Sequence, residues 1–427
     1  MSALIIFALL TLLMLSGMPV SISLGLTVLT FLFAFTNTPL EAVALKLFTG
    51  IEKFEIMAIP FFIVAGNFLT HGGVAKRMIY FATSMVGHFR GGLGLSSVFA
   101  CALFAAVSGS SPATVVAIGS ILLPAMVKAG YPKKFGVGVI ASSGGLGILI
   151  PPSIVMVMYA VSTNSSIGAL FMAGVIPGLL LALFLSFTTW YVAKKGNYPR
   201  EQRATWAQRW DAFRKAIWGL LLIVVVMGGI YSGMFTPTEA AAMSAVYAFF
   251  IAVFVYKDIG FKDVPKVLLN SANMSAMLLY IITNAVLFSF ILTNEQIPQG
   301  IADWLTHSGV GMYGFLIAVN ILLLVMGSFM EPSSIILITA PILFPIAMKL
   351  GIDPIHFGVM ITVNMEIGMI TPPVGLNLYV ASGIAKMGLT DCSKAVGPWL
   401  LTMLVFLVVI TYIPAVSTWL PRTLGMM

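Results

Sequence analysis

The chain has 427 residues, of which 59% are hydrophobic and only 8% are charged. Soluble proteins typically carry about 25% charged residues, so this composition excludes a water-soluble globule. The net charge of +8 comes from bases that are scattered over loops without interleaved aromatic residues, and we predict no nucleic-acid partner.

Long stretches of the sequence contain no Asp, Glu, Lys or Arg. A membrane-spanning helix needs about 20 consecutive apolar residues, and several of these stretches are longer than that. The sequence therefore predicts an all-α polytopic membrane protein embedded in a lipid bilayer. The charge-free stretches are residues 1–40, 91–127, 135–193, 216–238, 267–294, 304–330 and 395–421.

In the first half of the chain we predict five spanning segments and one re-entrant hairpin. The hairpin lies near residues 92–126 and turns at the cluster SGSSP, residues 108–112. The run GGLGILIPP at 144–152 breaks the fourth span, because proline lacks a backbone N–H group and glycine lets another backbone approach closely. Segment 74–89 is amphipathic, and it either lies at the membrane interface or spans. The five spans are expected near 4–18, 20–36, 54–72, 133–162 and 166–193.

The second half shows the same succession of elements. Its hairpin is predicted near 313–347 and turns at GSFMEP, residues 327–332. The run GMITPP at 368–373 breaks a long apolar span, and the amphipathic segment 295–308 occupies the place of 74–89. The five spans are expected near 217–232, 237–256, 272–293, 355–385 and 395–419.

The two halves also share sequence at a constant offset. LLPAMVKAG at 122–130 aligns with LFPIAMKLG at 343–351, and GILIPP at 147–152 aligns with GMITPP at 368–373. Both alignments are offset by 221 residues. We interpret the halves as an internal repeat.

An odd number of spans in each half makes the predicted repeats inverted, with about 10–11 spanning helices in total. The first repeat covers 1–195, with its hairpin and broken helix in 74–162. The second repeat covers 216–427, with its hairpin and broken helix in 295–386. Residues 196–215 are predicted to form a basic cytoplasmic loop between them.

The distribution of bases predicts the orientation of the chain. Cytoplasmic loops carry an excess of Lys and Arg. With the N-terminus outside, all but four of the 22 bases lie inside. The four outside are Lys46, Lys53, Lys349 and Arg422.

The hairpin tips and the breaks are the predicted cation sites. Backbone groups cannot stay unpaired in hydrocarbon, so a broken helix at membrane depth must face protein, water or ions. The breaks free backbone carbonyls, and small cations prefer such oxygen ligands. We predict two symmetry-related sodium sites: Ser108, Gly109, Ser110, Gly147 and Ile150 in the first half, and Gly327, Ser328, Gly368, Thr371 and Val374 in the second. The alternative is that these Gly and Pro runs only permit tight helix packing.

An anionic substrate is predicted to lie between the two sodium sites. The half-helices beyond Pro112 and Pro332 present N–H groups and positive dipole ends, which suit an anion. We predict that the substrate site comprises Ser111, Pro112, Pro151, Pro152, Pro332, Ser333, Pro372, Pro373 and Asn377.

Glu331 and Glu366 are the acids predicted at membrane depth. Such residues are functional by default, as cation attractors or proton carriers. Their first-half counterparts, Ser111 and Gly145, are uncharged, which argues against a direct ligand role in two symmetric sites. The alternative is a structural carboxylate that braces the tip or the break. For Asn364, as for Asn377, contact with substrate and a helix–helix hydrogen bond are both open.

The sequence gives no reason to expect an enzyme. It contains no Gly-x4-Gly-Lys-Ser/Thr, no Gly-x-Ser-x-Gly and no His-Glu-x-x-His motif. An intramembrane enzyme acting on lipid would need a clustered nucleophile, base or metal set, which we do not find. We predict no covalent cofactor.

Three segments resemble one transporter family over essentially the whole chain: AAVSGSSPATVVAIGSILLPAM at 105–126, GILIPPSIVMVMYA at 147–160 and NMEIGMITPPVGLNLYVASGIAK at 364–386. They are similar to the large membrane subunit of tripartite ATP-independent periplasmic (TRAP) transporters. The resemblance implies a bacterial inner-membrane protein that imports organic acids with Na⁺ as coupling ion, at about two sites in this chain. It also implies two partners, a small membrane subunit of about four helices and a periplasmic substrate-binding protein.

The resemblance further implies an elevator mechanism, in which hairpins and broken helices move against a scaffold. The scaffold spans would lie in 1–53 and 216–271. C4-dicarboxylates (succinate, malate, fumarate) are the commonest cargo of the family, and sialic acid or another sugar acid comes next. The alternative is a self-contained sodium/dicarboxylate symporter or ion antiporter of related hairpin fold.

Overall fold

A computed structural model of the chain describes residues 2–36, 39–307 and 311–427. Within these ranges the regular secondary structure is entirely helical, which confirms the predicted all-α class. The last residue of the predicted segment 295–308 lies outside the described ranges.

The described residues of the first half form eleven α-helices. A 3₁₀ turn at Phe54–Met57 leads directly into α4. The helices are α1 Ser2–Leu15, α2 Val20–Phe35, α3 Leu40–Thr49, α4 Ala58–His71, α5 Val74–Val86, α6 Gly92–Ser108, α7 Ser111–Lys128, α8 Lys133–Gly144, α9 Leu146–Leu149, α10 Ile154–Thr163 and α11 Ile167–Lys195.

In the second half, the residues that the structure describes form ten α-helices. A π-helical turn at Ile251–Val255 extends α13. The helices are α12 Trp206–Tyr231, α13 Pro237–Phe250, α14 Val264–Asn294, α15 Ile297–His307, α16 Met312–Gly327, α17 Pro332–Lys349, α18 Pro354–Gly368, α19 Leu376–Ala385, α20 Leu389–Tyr412 and α21 Ala415–Thr423.

Eight helices of the described residues are long and apolar enough to cross a membrane, or nine spans if the bent pair at 133–163 counts as one. Six of the eight lie at predicted spans, and two, Ser111–Lys128 and Pro332–Lys349, are arms of the predicted hairpins. The predicted spans at 4–18, 20–36 and 355–385 are not among the eight. Helices α1 and α2 have only 14 and 16 residues, or about 21 and 24 Å at 1.5 Å per residue. They are shorter than a hydrocarbon core of about 30 Å.

Two other boundaries differ from the prediction. The predicted loop 196–215 is partly helical, because α12 begins at Trp206. Thr205 starts this helix with a capping box, in which its hydroxyl accepts from the Gln208 amide and the Gln208 side chain accepts from the Thr205 amide. The span predicted at 272–293 begins earlier, at Val264, since Pro265 is tolerated in a first helical turn.

The helices around the two breaks interlock the halves of the chain. In the first half, α10 packs against α17 of the second hairpin. In the second half, α19 packs against α7 of the first hairpin and against α8. The break of each half therefore lies close to the hairpin of the other half.

Candidate ion and substrate site

The first hairpin tip rests on the first break. Helix α6 ends at Ser108, and Gly109 reverses the chain with φ +63°, a conformation that glycine adopts without a steric penalty. A Cβ atom placed on Gly147 would lie 2.6 Å from the carbonyl oxygen of Ser110 and 2.8 Å from Thr114 Oγ1. Only a glycine at this position allows the tip to approach so closely.

Oxygen atoms of three tip residues converge at this contact. The hydroxyls of Ser108 and Thr114 are 2.9 Å apart, and the Thr114 hydroxyl donates to the Ser110 carbonyl at 2.8 Å. The amide of Ile154, beyond the break, reaches the Gly109 carbonyl at 3.4 Å. Tip and break are thus joined by backbone and hydroxyl groups.

Two prolines free carbonyl groups in the first break. Pro151 and Pro152 stand four residues after Gly147 and Ile148, and neither can donate the helical hydrogen bond to those carbonyls. The Ser153 hydroxyl donates to the Ile148 carbonyl instead, at 2.5 Å. Pro151 leaves the Gly147 carbonyl without its helical donor, and ion binding by this oxygen stays a prediction.

The second tip contacts the second break by backbone alone. A Cβ atom on Gly368 would lie 2.6 Å from the Cα of Gly327, and one on Gly327 would lie 2.9 Å from the Cα of Gly368. The Ser328 carbonyl accepts two hydrogen bonds from the far side of the break, from the amides of Val374 at 3.2 Å and Gly375 at 3.1 Å. The two tips therefore share a plan, in which a glycine of the break meets the turn of its own hairpin.

Carbonyl oxygens of the second break are drawn together at Gly375. The carbonyls of Met369 and Thr371 each lie 3.0 Å from the position of a Cβ on Gly375. The Met369 carbonyl accepts from the amide of Asn377 at 2.9 Å. The Thr371 hydroxyl donates to the Ile367 carbonyl at 2.7 Å and keeps its oxygen lone pairs for another partner.

The residues at both tips fit a small hard cation. The groups that meet are carbonyl and hydroxyl oxygens, and unwound carbonyls of this kind coordinate Na⁺ in transporters with broken helices. No group of three or more His, Cys, Asp or Glu side chains that could hold a metal occurs in the described ranges. Five residues on each side would then supply oxygens when Na⁺ is bound: Ser108, Gly109, Ser110, Gly147 and Ile150, and Gly327, Ser328, Gly368, Thr371 and Val374.

The structure brings some of the predicted substrate residues together but not all of them. Asn377 donates to the Ser111 hydroxyl at 2.7 Å, and both residues are buried. Pro151 is buried and lines a largely apolar cavity of about 1030 Å³ together with Ile150, which does not suit an anion. Pro112 is half-buried beside the first tip, and Pro152, Pro332 and Ser333 are buried, whereas Pro372 and Pro373 are exposed.

The two predicted acids have different surroundings. Glu331 begins α17, where one carboxylate oxygen accepts from the Ser334 amide at 3.2 Å and the other from the Ser333 hydroxyl at 2.7 Å. This N-cap braces the second tip. Glu366 is fully buried, and neither of its carboxylate oxygens has a hydrogen-bond partner within the described part of the chain.

Asn364 forms a helix–helix hydrogen bond, one of its two predicted alternatives. Its amide nitrogen donates to the carbonyl and to the side-chain oxygen of Asn320, at 3.0 and 2.8 Å. These bonds join α18 to α16, the first arm of the second hairpin. Asn364 thus holds the broken helix against its own hairpin.

The sequence prediction missed Thr114, Ser153 and Gly375. Thr114 lies four residues after Ser110, and this spacing places its hydroxyl over the tip carbonyl. Ser153 directly follows the double proline, where a freed carbonyl needs a donor. Gly375 has φ +51°. A glycine two residues after Pro373 is the sequence feature that could have predicted this turn.

The family relationship follows from the match of nearly the whole chain to one family model. The model described as "Tripartite ATP-independent periplasmic transporter, DctM component" matches residues 7–416. The chain belongs to this family. It is therefore a multi-pass membrane transporter component rather than an enzyme.

Individual relatives agree with this assignment. The chain is 71% identical to the C4-dicarboxylate TRAP transporter large permease protein DctM of Rhodobacter capsulatus, over 100% of both chains. It is 36% identical to the sialic acid TRAP transporter permease protein SiaT of Haemophilus influenzae, over 96% of this chain and 66% of the relative.

A solved structure supports the fold of this TRAP transporter subunit. The crystal structure of the Alcanivorax borkumensis YdaH transporter matches with a TM-score of 0.63, covering 87% of this chain and 88% of that chain. The sequence identity is only 16%, so this likeness concerns the fold alone.

Proposed function

We propose that the chain is the large transmembrane subunit of a sodium-coupled TRAP importer for C4-dicarboxylates such as succinate, malate and fumarate. The choice of substrate is supported by the 71% identity, over both full lengths, to a permease named for C4-dicarboxylates. The relative named for sialic acid is 36% identical, and sugar acids are the second candidate.

Sodium coupling is supported by the chemistry of the two tips. The first tip presents carbonyl and hydroxyl oxygens to its break at Gly147, and the second tip presents a backbone carbonyl oxygen to its break at Gly368. Ions bound there would order the tips and complete the anion site between them. A ligand shifts the balance between inward and outward states only through its different affinity for the two, so substrate and ions together would determine which loaded forms cross.

The partners in this proposal are a small four-helix membrane subunit and a periplasmic substrate-binding protein. The chain aligns with 66% of the sialic acid permease relative, and the remaining third of that relative is long enough for a small membrane subunit. The family description itself names a tripartite system. A tripartite periplasmic system would operate at the bacterial inner membrane, which is the proposed location of the chain.

The ion pairs are consistent with the predicted placement of the loops on the two sides of the membrane. Ion pairs between exposed groups form on one side of a membrane. Each ion pair among the described residues joins groups that the predicted topology puts on the same side. Inside, the pairs are Arg77–Asp258, Lys134–Asp391 and Lys215–Asp211; outside, they are Lys349–Asp303 and Arg422–Asp353.

The test is uptake into proteoliposomes that hold this chain and its small membrane partner. Radiolabelled succinate is supplied with an inward Na⁺ gradient, with and without the cognate binding protein. We expect uptake that needs both Na⁺ and the binding protein. Sodium-driven uptake without the binding protein would support the self-contained symporter instead, and uptake of sialic acid but not succinate would change only the cargo.

A further inference from the structure

Glu366 is a buried carboxylate that the two symmetric sodium sites leave without a role. Its side chain has 0% exposure, and both of its oxygens lack a hydrogen-bond partner among the described residues. It belongs to α18, two residues before the glycine that contacts the second tip. A carboxylate in this position cannot remain charged and alone, because an unpaired buried charge is strongly unfavourable.

The carboxyl group of Glu366 reaches across to the first break. A Cβ atom on Gly145 would lie 2.3 Å from Glu366 Cγ and 2.5 Å from its Oε1. The absence of a side chain at Gly145 therefore provides the space that the carboxyl occupies. Gly145 separates α8 from α9, so an acid of one repeat fills the backbone interruption of the other.

Other oxygens without partners lie at the same helical turn. The Ser142 hydroxyl stands one turn before Gly145, is fully buried and has no hydrogen-bond partner in the described ranges. Asn377 lies 3.3 Å from the Ala141 carbonyl through its amide nitrogen, while its side-chain oxygen is likewise buried without a partner. Buried polar atoms normally have partners, so several orphaned oxygens at one turn indicate a missing positive group.

We propose that Glu366, with the oxygens of Ser142 and Asn377, forms a third sodium site that lies between the two breaks. The proposal rests on the sodium-coupled function above. The site has no symmetry mate, since the residue corresponding to Glu366 in the first half is Gly145 itself. The site would connect the two repeats, because Glu366 belongs to the second repeat and the space beside Gly145 belongs to the first.

Among the described residues of the helices packed around Glu366, no other charged group is positioned to neutralise it. The charged residues of the helices packed against α18, and of α8, all lie near helix ends; they are Lys133, Lys134, Lys194, Lys195, Lys349, Asp391, Lys394 and Arg422. On α18 itself, His356 lies in the first turn and contacts the Ser417 hydroxyl at 2.9 Å.

The remaining titratable groups on these helices are tyrosines and one cysteine. Tyr159 donates to the Pro354 carbonyl at 2.8 Å, which is 12 residues before Glu366, or about 18 Å along the helix. The others are Tyr191 on α11, Tyr313 at the start of α16, and Cys392 and Tyr412 at the two ends of α20.

The test counts cations moved per succinate by the reconstituted complex. Proteoliposomes carry a trapped pH dye, and ²²Na⁺ and labelled succinate are measured together for the wild type, Glu366→Gln and Glu366→Asp. Glu52→Gln, at an exposed acid, is the matched control. We expect three cations per succinate in the wild type and in Glu52→Gln, and two in Glu366→Gln. We expect the lost cation to appear as a fall in the ²²Na⁺ signal with an unchanged pH signal, whereas a fall in the pH signal alone overturns the sodium site.

Glu366→Asp keeps the carboxylate but shortens the side chain by one methylene group. This variant tests the proposal if Glu366→Gln does not assemble. We expect it to retain three cations with at least a threefold higher cation concentration for half-maximal uptake. A wild type that moves only two cations overturns the proposal, as does a Glu366→Gln variant with an unchanged count. Wild-type uptake that ignores Na⁺ would instead refute the proposed function.

Discussion

The side-chain amide of Asn377 donates a 2.7 Å hydrogen bond to the hydroxyl of Ser111, although 266 residues separate them. Asn377 follows the second break, and Ser111 begins the second arm of the first hairpin. The same amide lies 3.3 Å from the carbonyl of Ala141 in α8. One buried side chain thus links two residues of the predicted substrate site, one from each half of the chain.

Replacing this side chain should weaken transport more than it weakens assembly. Asn377→Leu leaves the Ser111 hydroxyl buried without a partner, which costs about 1–3 kcal/mol, or roughly 5- to 150-fold in an equilibrium constant. We expect at least a fivefold loss of succinate uptake at limiting Na⁺. Asn270→Leu, at an exposed asparagine, is the control and should take up succinate normally. Equal uptake by both variants would contradict a role for the Asn377–Ser111 bond.

The first tip should not tolerate a methyl group at the break. In Gly147→Ala the new Cβ would lie 2.6 Å from the Ser110 carbonyl, and the tip must move away from the break. We expect at least a tenfold rise in the Na⁺ concentration for half-maximal uptake, measured in proteoliposomes. The matched control is Gly397→Ala in α20, where nothing lies within 4 Å of the new atom. An unchanged sodium requirement in Gly147→Ala would refute our placement of the first ion site.

The second tip offers the same test with a stricter contact. A methyl group in Gly368→Ala would meet backbone atoms of Gly327, with the nearest at 2.6 Å, and backbone cannot rotate away as a side chain can. We expect loss of uptake and a lower melting temperature of the purified complex. Gly383→Ala in α19, where the space is open within 4 Å, should retain both properties. A Gly368→Ala complex that transports normally would show that this contact is dispensable.

Thr371 separates the contribution of a hydroxyl from that of side-chain shape. Its hydroxyl donates to the Ile367 carbonyl at 2.7 Å, and its oxygen remains available to an ion. Thr371→Val keeps the shape and removes this oxygen, so we expect a raised Na⁺ requirement or no uptake in an assembled complex. Thr371→Ser keeps the oxygen and should preserve the wild-type sodium dependence. If the Val variant responds to Na⁺ as the wild type does, the hydroxyl is no ligand.

The order of the elements around the site could be predicted from the sequence alone. The expected first hairpin, 92–126, is observed as α6 and α7 over 92–128, with its turn at Ser108 and Gly109 as predicted. The second hairpin, expected at 313–347, occupies 312–349. Gly and Pro runs are strong local signals, because they act through the backbone at their own position.

Contacts between the halves could not be predicted. Nothing in the local sequence of Gly145 indicates that it accommodates Glu366, and the Asn377–Ser111 bond depends on how α19 packs on α7. Pro152 is buried, whereas Pro373 at the matching position of the second half is exposed. Such differences arise from tertiary packing, which two similar sequence runs do not encode.

Lys53 provides a direct test of relative movement between the predicted scaffold and the transport elements. Its ammonium donates to Asn164 Oδ1 at 2.5 Å and to the Val161 carbonyl at 3.1 Å. If the elements move as an elevator, this contact must break once in each cycle. We expect a bis-methanethiosulfonate cross-link between Lys53→Cys and Asn164→Cys to stop uptake, and a reductant to restore it. The single variant Lys53→Cys, given the same reagent, is the control, and continued uptake by the cross-linked pair would exclude the movement.

The carboxylate of Glu331 gives the second tip a feature that the first tip does not have. It accepts hydrogen bonds from Ser333 and Ser334, whereas the first tip turns through serine and glycine at the corresponding place. A nearby negative charge lowers the free energy of a bound cation, so the two proposed ion sites would have unequal affinities. In a cytoplasm poor in sodium, the ion at the uncharged first tip would therefore leave first. The substrate would then be released while the second tip still holds its ion, which gives the unloading half of the cycle a fixed sequence in time.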